Sequence, residues 1–153
     1  MNVLSKTNSM KKHLTIFFVA LFVFFGKAQN QFAQQLSDAA ISLTKTKVTY
    51  DPSYVTIKYP NGDVPADKGV CTDVIIRAYR KVGIDLQKEV HEDMAKNFSK
   101  YPKKYGLKKP DTNIEHRRVP NLKVFFAKFG QTKSIETKPE LYVPGDIVTW
   151  VLP

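Results

Sequence analysis

An apolar run behind two lysines decides how much of this chain is available to fold. Residues 14–25, from Leu14 to Phe25, are apolar apart from Thr15. They follow Lys11-Lys12 and run into Gly26-Lys27-Ala28. A basic start, a short apolar stretch and a small-x-small end form the pattern of a secretory signal peptide. The run is well short of the roughly 20 residues that span a bilayer, and no cysteine follows it to carry a lipid. Residues 1–28 are therefore read as an export signal, which places the mature protein in the periplasm or outside the cell. Its contact with a membrane would be through the uncleaved signal only. Residues 29–47 then form an N-terminal helix, and residues 48–153 form one domain.

Removing the signal also changes the charge. The 153 residues carry 24 Lys plus Arg against 14 Asp plus Glu, a net +10. Lys6, Lys11, Lys12 and Lys27 leave with the signal and no acid does, so the mature chain is at +6. Export and this smaller charge argue against nucleic acid as a partner. A single cysteine excludes an internal disulfide framework and any Cys-rich zinc site.

The rest of the chain reads as helices first and a strand last. Phe32, Leu36, Ala39, Ala40 and Leu43 predict a helix over residues 31–44. Residues 48–65 are punctuated by Asp51-Pro52, Tyr59-Pro60, Asn61-Gly62 and Val64-Pro65, which permit only short extended pieces and turns. Residues 71–82 give the clearest helix, with Val74, Ile75, Ala78, Tyr79 and Val82 on one apolar face and Gly83 as its stop. Asp85 caps the next, where Leu86, Val90, Met94 and Phe98 recur every fourth residue. Residues 96–109 hold six lysines and no acid, and read as an exposed loop. Pro120 opens a last helix with Leu122, Phe125, Phe126 and Phe129 as its buried stripe and Gly130 at its end. Val143-Pro144-Gly145-Asp146 predicts a turn into a β-prone strand over residues 147–151. This order indicates the α+β class.

Cys71 opens the clearest helix. The first turn of a helix presents unpaired N–H groups and a partial positive charge, which stabilise a thiolate. Gly69, two residues earlier, lets the backbone turn into the helix. Most free cysteines are small buried hydrophobes. Two features set Cys71 apart: a lone thiol is unusual in an exported protein, and this one stands at a helix start rather than in the apolar stripe.

The stretch Gly69-Val70-Cys71-Thr72-Asp73-Val74-Ile75-Ile76-Arg77-Ala78-Tyr79-Arg80, followed by Val82-Gly83-Ile84-Asp85-Leu86, resembles the nucleophile helix of the NlpC/P60 superfamily of papain-like peptidases and amidases. Pro144-Gly145-Asp146-Ile147-Val148-Thr149-Trp150 is similar to that superfamily's Pro-Gly-Asp turn and first core strand. Other strings look like the bacterial domain-of-unknown-function family 1287, from about Val48 to the end. These are Tyr50-Asp51-Pro52-Ser53-Tyr54, Gly62-Asp63-Val64-Pro65, His91-Glu92-Asp93-Met94, and the run from Asp111 through Glu115-His116-Arg117-Arg118 to Leu122. The resemblance implies a papain-like fold with N-terminal helices and an incomplete antiparallel sheet. It implies an exported cysteine hydrolase, an amidase or peptidase of cell-wall peptides or another envelope substrate. Cys71 would form a thioester, and the N–H groups at Cys71 and Thr72 would hold the oxyanion. The superfamily commonly has Asp-Cys-Ser-Gly where this chain has Val70-Cys71-Thr72-Asp73. An acid so close opposes the thiolate unless it faces a base. The resembled enzymes carry the catalytic His on the strand after the Pro-Gly-Asp strand, and Pro153 comes before it, so a truncated or inactive form is expected.

With His13 in the signal, His91 and His116 remain. His91 reads as a helix-surface residue. His116 stands in a charged loop with Glu115, Arg117 and Arg118, which reads equally as a site for a substrate carboxylate and as a salt-bridged loop that fixes the following helix; His116 is the candidate surrogate base, although no spacing requires it to meet Cys71. Arg117 and Arg118, with Asp73, are candidate substrate ligands, since Arg grips a carboxylate with paired donors. His91, His116 and Glu92 have no metal-ligand spacing, so no metal and no cofactor are expected. The alternative is a non-catalytic envelope-binding domain that holds an acidic ligand through the lysine-rich loop. The oligomeric state is not encoded in any feature of the sequence.

Overall fold

The computed structural model describes residues 29–103, 106–135 and 137–150. The export signal expected at residues 1–28 lies outside these residues. Among those described, no helix is long and apolar enough to cross a membrane.

Among the described residues, four α-helices and one small sheet make an α+β fold. Helix α1 covers residues 29–43. Strands β1 (Thr49–Tyr50) and β2 (Lys68–Gly69) precede α2 (Cys71–Lys81), α3 (Leu86–Asn97) and α4 (Val119–Phe129). A single 3-10 turn, Glu115–Arg117, leads into α4, and another, Pro139–Leu141, lies in the C-terminal segment.

Each helix has a local cause. Asp85 caps α3 by accepting the Gln87 N–H at 3.1 Å, which ties up one of the helix's unpaired first-turn donors. Leu86, Val90 and Met94 at four-residue spacing are then all buried. In α4, Pro120 occupies the first turn, where its missing N–H has no ladder partner to lose. Leu122 and Phe125 turn inward, whereas Phe129 is exposed.

The α2 face differs from the expected one. Ile76 and Ala78 are buried and Val74 is exposed. The helix is covered on two sides, so no single stripe describes it. Ile76 packs with Leu86, Val90, Leu122 and Phe125, while Ala78 packs with Leu36 and Ala39 of α1. Tyr79 borders both clusters.

The sheet also departs from expectation. β1 and β2 pair in parallel, Thr49 with Lys68 and Tyr50 with Gly69, rather than antiparallel. A parallel pair needs a crossover rather than a tight hairpin, and residues 51–67 supply it as a wide loop stapled to the helices. Gln87, fully buried, accepts the Gly62 N–H at 2.8 Å and donates to the carbonyls of Lys58 and Thr112. Arg80 donates to Asp63 and to the Gly62 carbonyl. The Asn61-Gly62 turn is thereby held on α3 rather than used as a hairpin.

The strand expected over residues 147–151 is not formed. Residues 147–150 have no strand pairing, and Val151 lies outside the described residues. The preceding turn docks on α1 instead. Gly145 has φ +90°, donates its N–H to Ser37 Oγ at 3.1 Å, and packs so closely that a Cβ would lie 2.9 Å from Ala33 Cβ.

The lysine-rich loop is not uniformly exposed either. Tyr101 is buried and donates to Asp93 Oδ2 at 2.6 Å. The apolar body of a tyrosine fills the core where its hydroxyl finds an acceptor.

Two glycines with similar φ allow a comparison. Gly83→Ala meets no atom within 4 Å, so it should cost about 1 kcal/mol from positive φ alone. Gly145→Ala adds the collision with Ala33 and should cost roughly 2–3 kcal/mol. Urea denaturation of the two variants measures the difference, and equal costs would show that the turn is not seated on α1.

Candidate functional site

Cys71 is the first residue of α2, and it is exposed. Val70 before it is extended, with φ −120° and ψ 176°, so the chain enters the helix straight from β2. The N–H groups of Cys71 and Thr72 lie ahead of the intrahelical ladder and leave a partial positive charge at this end.

Asp73 fixes this helix start. Its Oδ2 accepts the Val70 N–H at 2.6 Å, and its own N–H donates to the Val70 carbonyl at 3.0 Å. Arg117 lies against the same carboxylate. Its Nε donates to Oδ1 at 2.9 Å and its Nη2 donates to Oδ2 at 3.0 Å. Both side chains are almost wholly buried. Two parallel charge-assisted bonds are the strong form of this contact, and in a dry site neither charge is tolerable without the other. The Thr72 hydroxyl adds a further tie by donating to the Arg117 carbonyl at 2.8 Å.

Gly69 makes the arrangement sterically feasible. A Cβ there would lie 3.1 Å from Asp73 Oδ2 and 3.3 Å from Asp73 Cβ. The position needs close approach, since Gly69 is in β2 rather than in a sharp turn.

The Glu115–Arg117 turn aims its side chains at different helices. Arg117 faces α2. Glu115 reaches α3, with Oε2 2.8 Å from His91 Nδ1, while Oε1 accepts the Asp111 N–H at 2.5 Å. Burial raises the Glu115 carboxyl above its usual 4.5, against the lowering effect of His91. His91 is therefore a bridging residue and not an ordinary surface one, and the ring of Tyr59 stands edge-on to it at 5.1 Å. From α4, Asn121 Nδ2 donates to the Glu115 carbonyl at 3.1 Å.

His116 is 2% exposed, and its Nδ1 has no hydrogen-bond partner. Burial pushes the imidazole from its usual 6.5 down to about 4, the Asp73 carboxylate opposing that shift and Arg117 adding to it. At pH 7 the ring is neutral. No hydrogen bond joins it to Cys71 among the described residues.

The structure thus gathers Thr72, Asp73 and Arg117 at the helix start that carries Cys71, and no hydrogen bond among the described residues joins His116 to the thiol. The sequence leaves the Arg117 string open between a substrate ligand and a salt-bridged loop, and reads Asp73 as a substrate ligand. In the structure each holds the other, and together they build the site rather than line it. Asp73, two residues after Cys71, faces a base, Arg117. Arg118 is half-buried, and its carbonyl accepts the Asn121 and Leu122 N–H groups at the start of α4. No three His, Cys, Asp or Glu side chains among the described residues converge as metal ligands.

Sequence reasoning missed the Glu115–His91 bridge and a second cluster on the loop before it. Asp111 Oδ1 accepts the Asn113 N–H at 2.9 Å, and both side chains reach the Tyr54 hydroxyl. The Asp111-x-Asn113 spacing is an Asx-turn signal that could have located this cluster. Nothing in the spacing points to Tyr54, 57 residues earlier.

The family model described as "Domain of unknown function (DUF1287)" matches residues 37–153. An uncharacterised protein of Escherichia coli (strain K12), YijF, is 52% identical over 117 residues, 76% of this chain and 57% of that protein. The chain thus spans 57% of the length of this relative. No solved structure matches.

His116 makes stability depend on pH. Its value is lower folded than unfolded, so its contribution is complete above pH 6.5 and is lost as pH falls toward about 4. Glu115, raised by burial, acts oppositely and costs stability as pH rises above 4.5. Urea denaturation should show the unfolding free energy falling by up to about 3 kcal/mol between pH 6.5 and 4 from His116, partly offset by Glu115. His116→Gln should flatten that slope, and an unchanged slope would contradict the assignment.

Proposed function

We propose a function from one premise: the chain belongs to the domain-of-unknown-function family DUF1287. The reading is an exported cysteine hydrolase with a papain-like, NlpC/P60-type site, an amidase or peptidase acting on cell-envelope peptides in the periplasm or outside the cell. The observation that carries it is the exposed thiol of Cys71 at the first position of a helix whose start is locked by a buried ion pair. A nucleophile needs access and a fixed direction, and few structural cysteines have both.

In this reading Cys71 Sγ attacks the carbonyl carbon of an amide. The developing oxyanion is met by the N–H groups of Cys71 and Thr72, which have no ladder partner. The amine leaves with a proton as a thioester forms, and water then releases the acid. The proton carrier is an imidazole in such sites. His116 is neutral at pH 7 and so keeps an acceptor nitrogen, but it is buried and unbonded to the thiol.

The exposure of Lys100, Lys108 and Lys109 favours a second reading, a non-catalytic envelope-binding domain that attracts an acidic ligand.

Iodoacetamide separates the two. At pH 7 the protein should be alkylated about tenfold faster than free cysteine, and Cys71→Ala should abolish the labelling. A rate no faster than free cysteine removes the nucleophile and leaves the binding reading.

A further inference from the structure

The Glu115–Arg117 turn buries three consecutive ionisable side chains and packs on α2, α3 and α4 at once. The outer two have partners: Arg117 grips Asp73 of α2, and Glu115 meets His91 of α3. His116, between them, has an Nδ1 with no hydrogen-bond partner among the described residues. A neutral imidazole can be buried this way at modest cost. An imidazolium cannot, because it adds a charge and a second N–H that both need an acceptor. The carboxylates that could answer that charge are committed elsewhere. Asp73 and Asp85 favour a proton on the ring, while Arg117 and Arg80 oppose it. Both oxygens of Asp73 accept from Arg117, and Oδ2 accepts the Val70 N–H as well. Asp85 accepts the Gln87 N–H through Oδ1 and the Asn61 N–H through Oδ2. The first turn of α4, residues 119–122, contains no titratable side chain.

The contacts that hold the turn differ in kind from those that hold the helices. The turn is held by polar bonds: Arg117 to Asp73, Glu115 to His91, the Thr72 hydroxyl to the Arg117 carbonyl, and Asn121 to the Glu115 carbonyl. The helices are held by Ile76, Leu86, Val90, Leu122 and Phe125, and by Leu36, Ala39 and Ala78, none of them in the turn. The chain is also fixed on either side. Before the turn, Asp111 accepts from Tyr54 and Asn113 accepts the Ile57 N–H. After it, Leu122 and Phe125 seat α4 in the core. Losing the polar bonds thus frees a short segment between two anchored ends, and the apolar clusters keep their contacts.

We propose that the Glu115–Arg117 turn is an acid-released latch: when His116 takes a proton, the turn lifts off α2 and α3 while the helices stay packed, and Thr72 and Asp73 at the start of α2 lose their partners. The device is independent of whether Cys71 is a nucleophile. Its direction follows from His116, whose imidazole burial lowers to about 4 from 6.5. The closed turn is fully favoured above pH 6.5 and loses that advantage as pH falls toward 4. Glu115 works the other way, since burial raises its carboxyl and a proton there favours the closed turn.

Amide hydrogen exchange on the full chain at pH 7 and pH 5 tests the latch, with each rate divided by the intrinsic rate at that pH. The Arg117 and Arg118 amides, which donate to the carbonyls of Ile114 and Glu115, report on the turn. His116 alone shifts the opening equilibrium about twentyfold between these pH values, and Glu115 returns part of it. Protection of the two amides should therefore fall about five- to twentyfold. At pH 5 their exchange should be indifferent to dilute urea, because a local opening exposes little surface, while the buried Val90 and Met94 of α3 exchange faster as urea is added. His116→Gln should abolish the fall. Should that variant not fold, Glu115→Gln replaces it and should enlarge the fall. Protection that does not change between pH 7 and pH 5 overturns the proposal. So does a fall that persists in His116→Gln, or one that Glu115→Gln does not enlarge. Turn amides that match Val90 and Met94 in protection and urea dependence at pH 5 overturn it as well, because the opening is then the unfolding of the whole domain.

Discussion

The buried ion pair between Asp73 and Arg117 is the contact on which the arrangement around Cys71 depends. It joins the start of α2 to the turn that leads into α4. The apolar cluster of Ile76, Leu86, Val90, Leu122 and Phe125 holds the same helices together, but apolar contact is non-directional and fixes no helix start. A bidentate pair does, because its two bonds define both a distance and a plane. Burying the pair obliges the surrounding chain to keep both charges satisfied. Val70 and Thr72 are drawn in by their own bonds to the pair and its backbone.

A polar layer extends from that pair. Glu115 reaches His91 on α3, Asn121 on α4 ties to the Glu115 carbonyl, and Gln87 carries the layer to the 58–62 loop. On the outer side, Arg77 collects the carbonyls of Val64, Pro65, Ala66 and Lys68 and pairs with Asp63. This is how a loop with no regular structure delivers β2, and hence Cys71, to one place. The backbone at Cys71 is tied on both sides by these bonds, yet its side chain is open to solvent.

Local signals made the helices readable. Asp85 as a cap, the four-residue repeat of Leu86, Val90 and Met94, and Pro120 at the start of α4 each act within a turn or two of chain. Cys71 was legible for the same reason, since a helix start is a local event. The sheet was not. Its parallel pairing depends on Gln87, Arg77 and Arg80 holding a distant loop, and no dipeptide encodes that. The partners of Asp73, Glu115 and Tyr54 lie 44, 24 and 57 residues away, so composition could mark these groups as polar but not say what they face. Val74 and Ile76 exchanged places because α2 is packed from two sides. A β-prone run at residues 147–150 stayed unpaired because propensity does not supply a neighbouring strand.

Because the pair is buried and bidentate, its strength should appear as coupling rather than as two separate costs. The most direct measurement is a double-mutant cycle on unfolding free energy with Asp73→Ala, Arg117→Ala and the double variant. The account predicts a coupling of about 2 kcal/mol or more, since each single change strands a buried charge that the double change removes. Costs that add to within about 0.5 kcal/mol would contradict it and would mean that the helix start carrying Cys71 is held by something else.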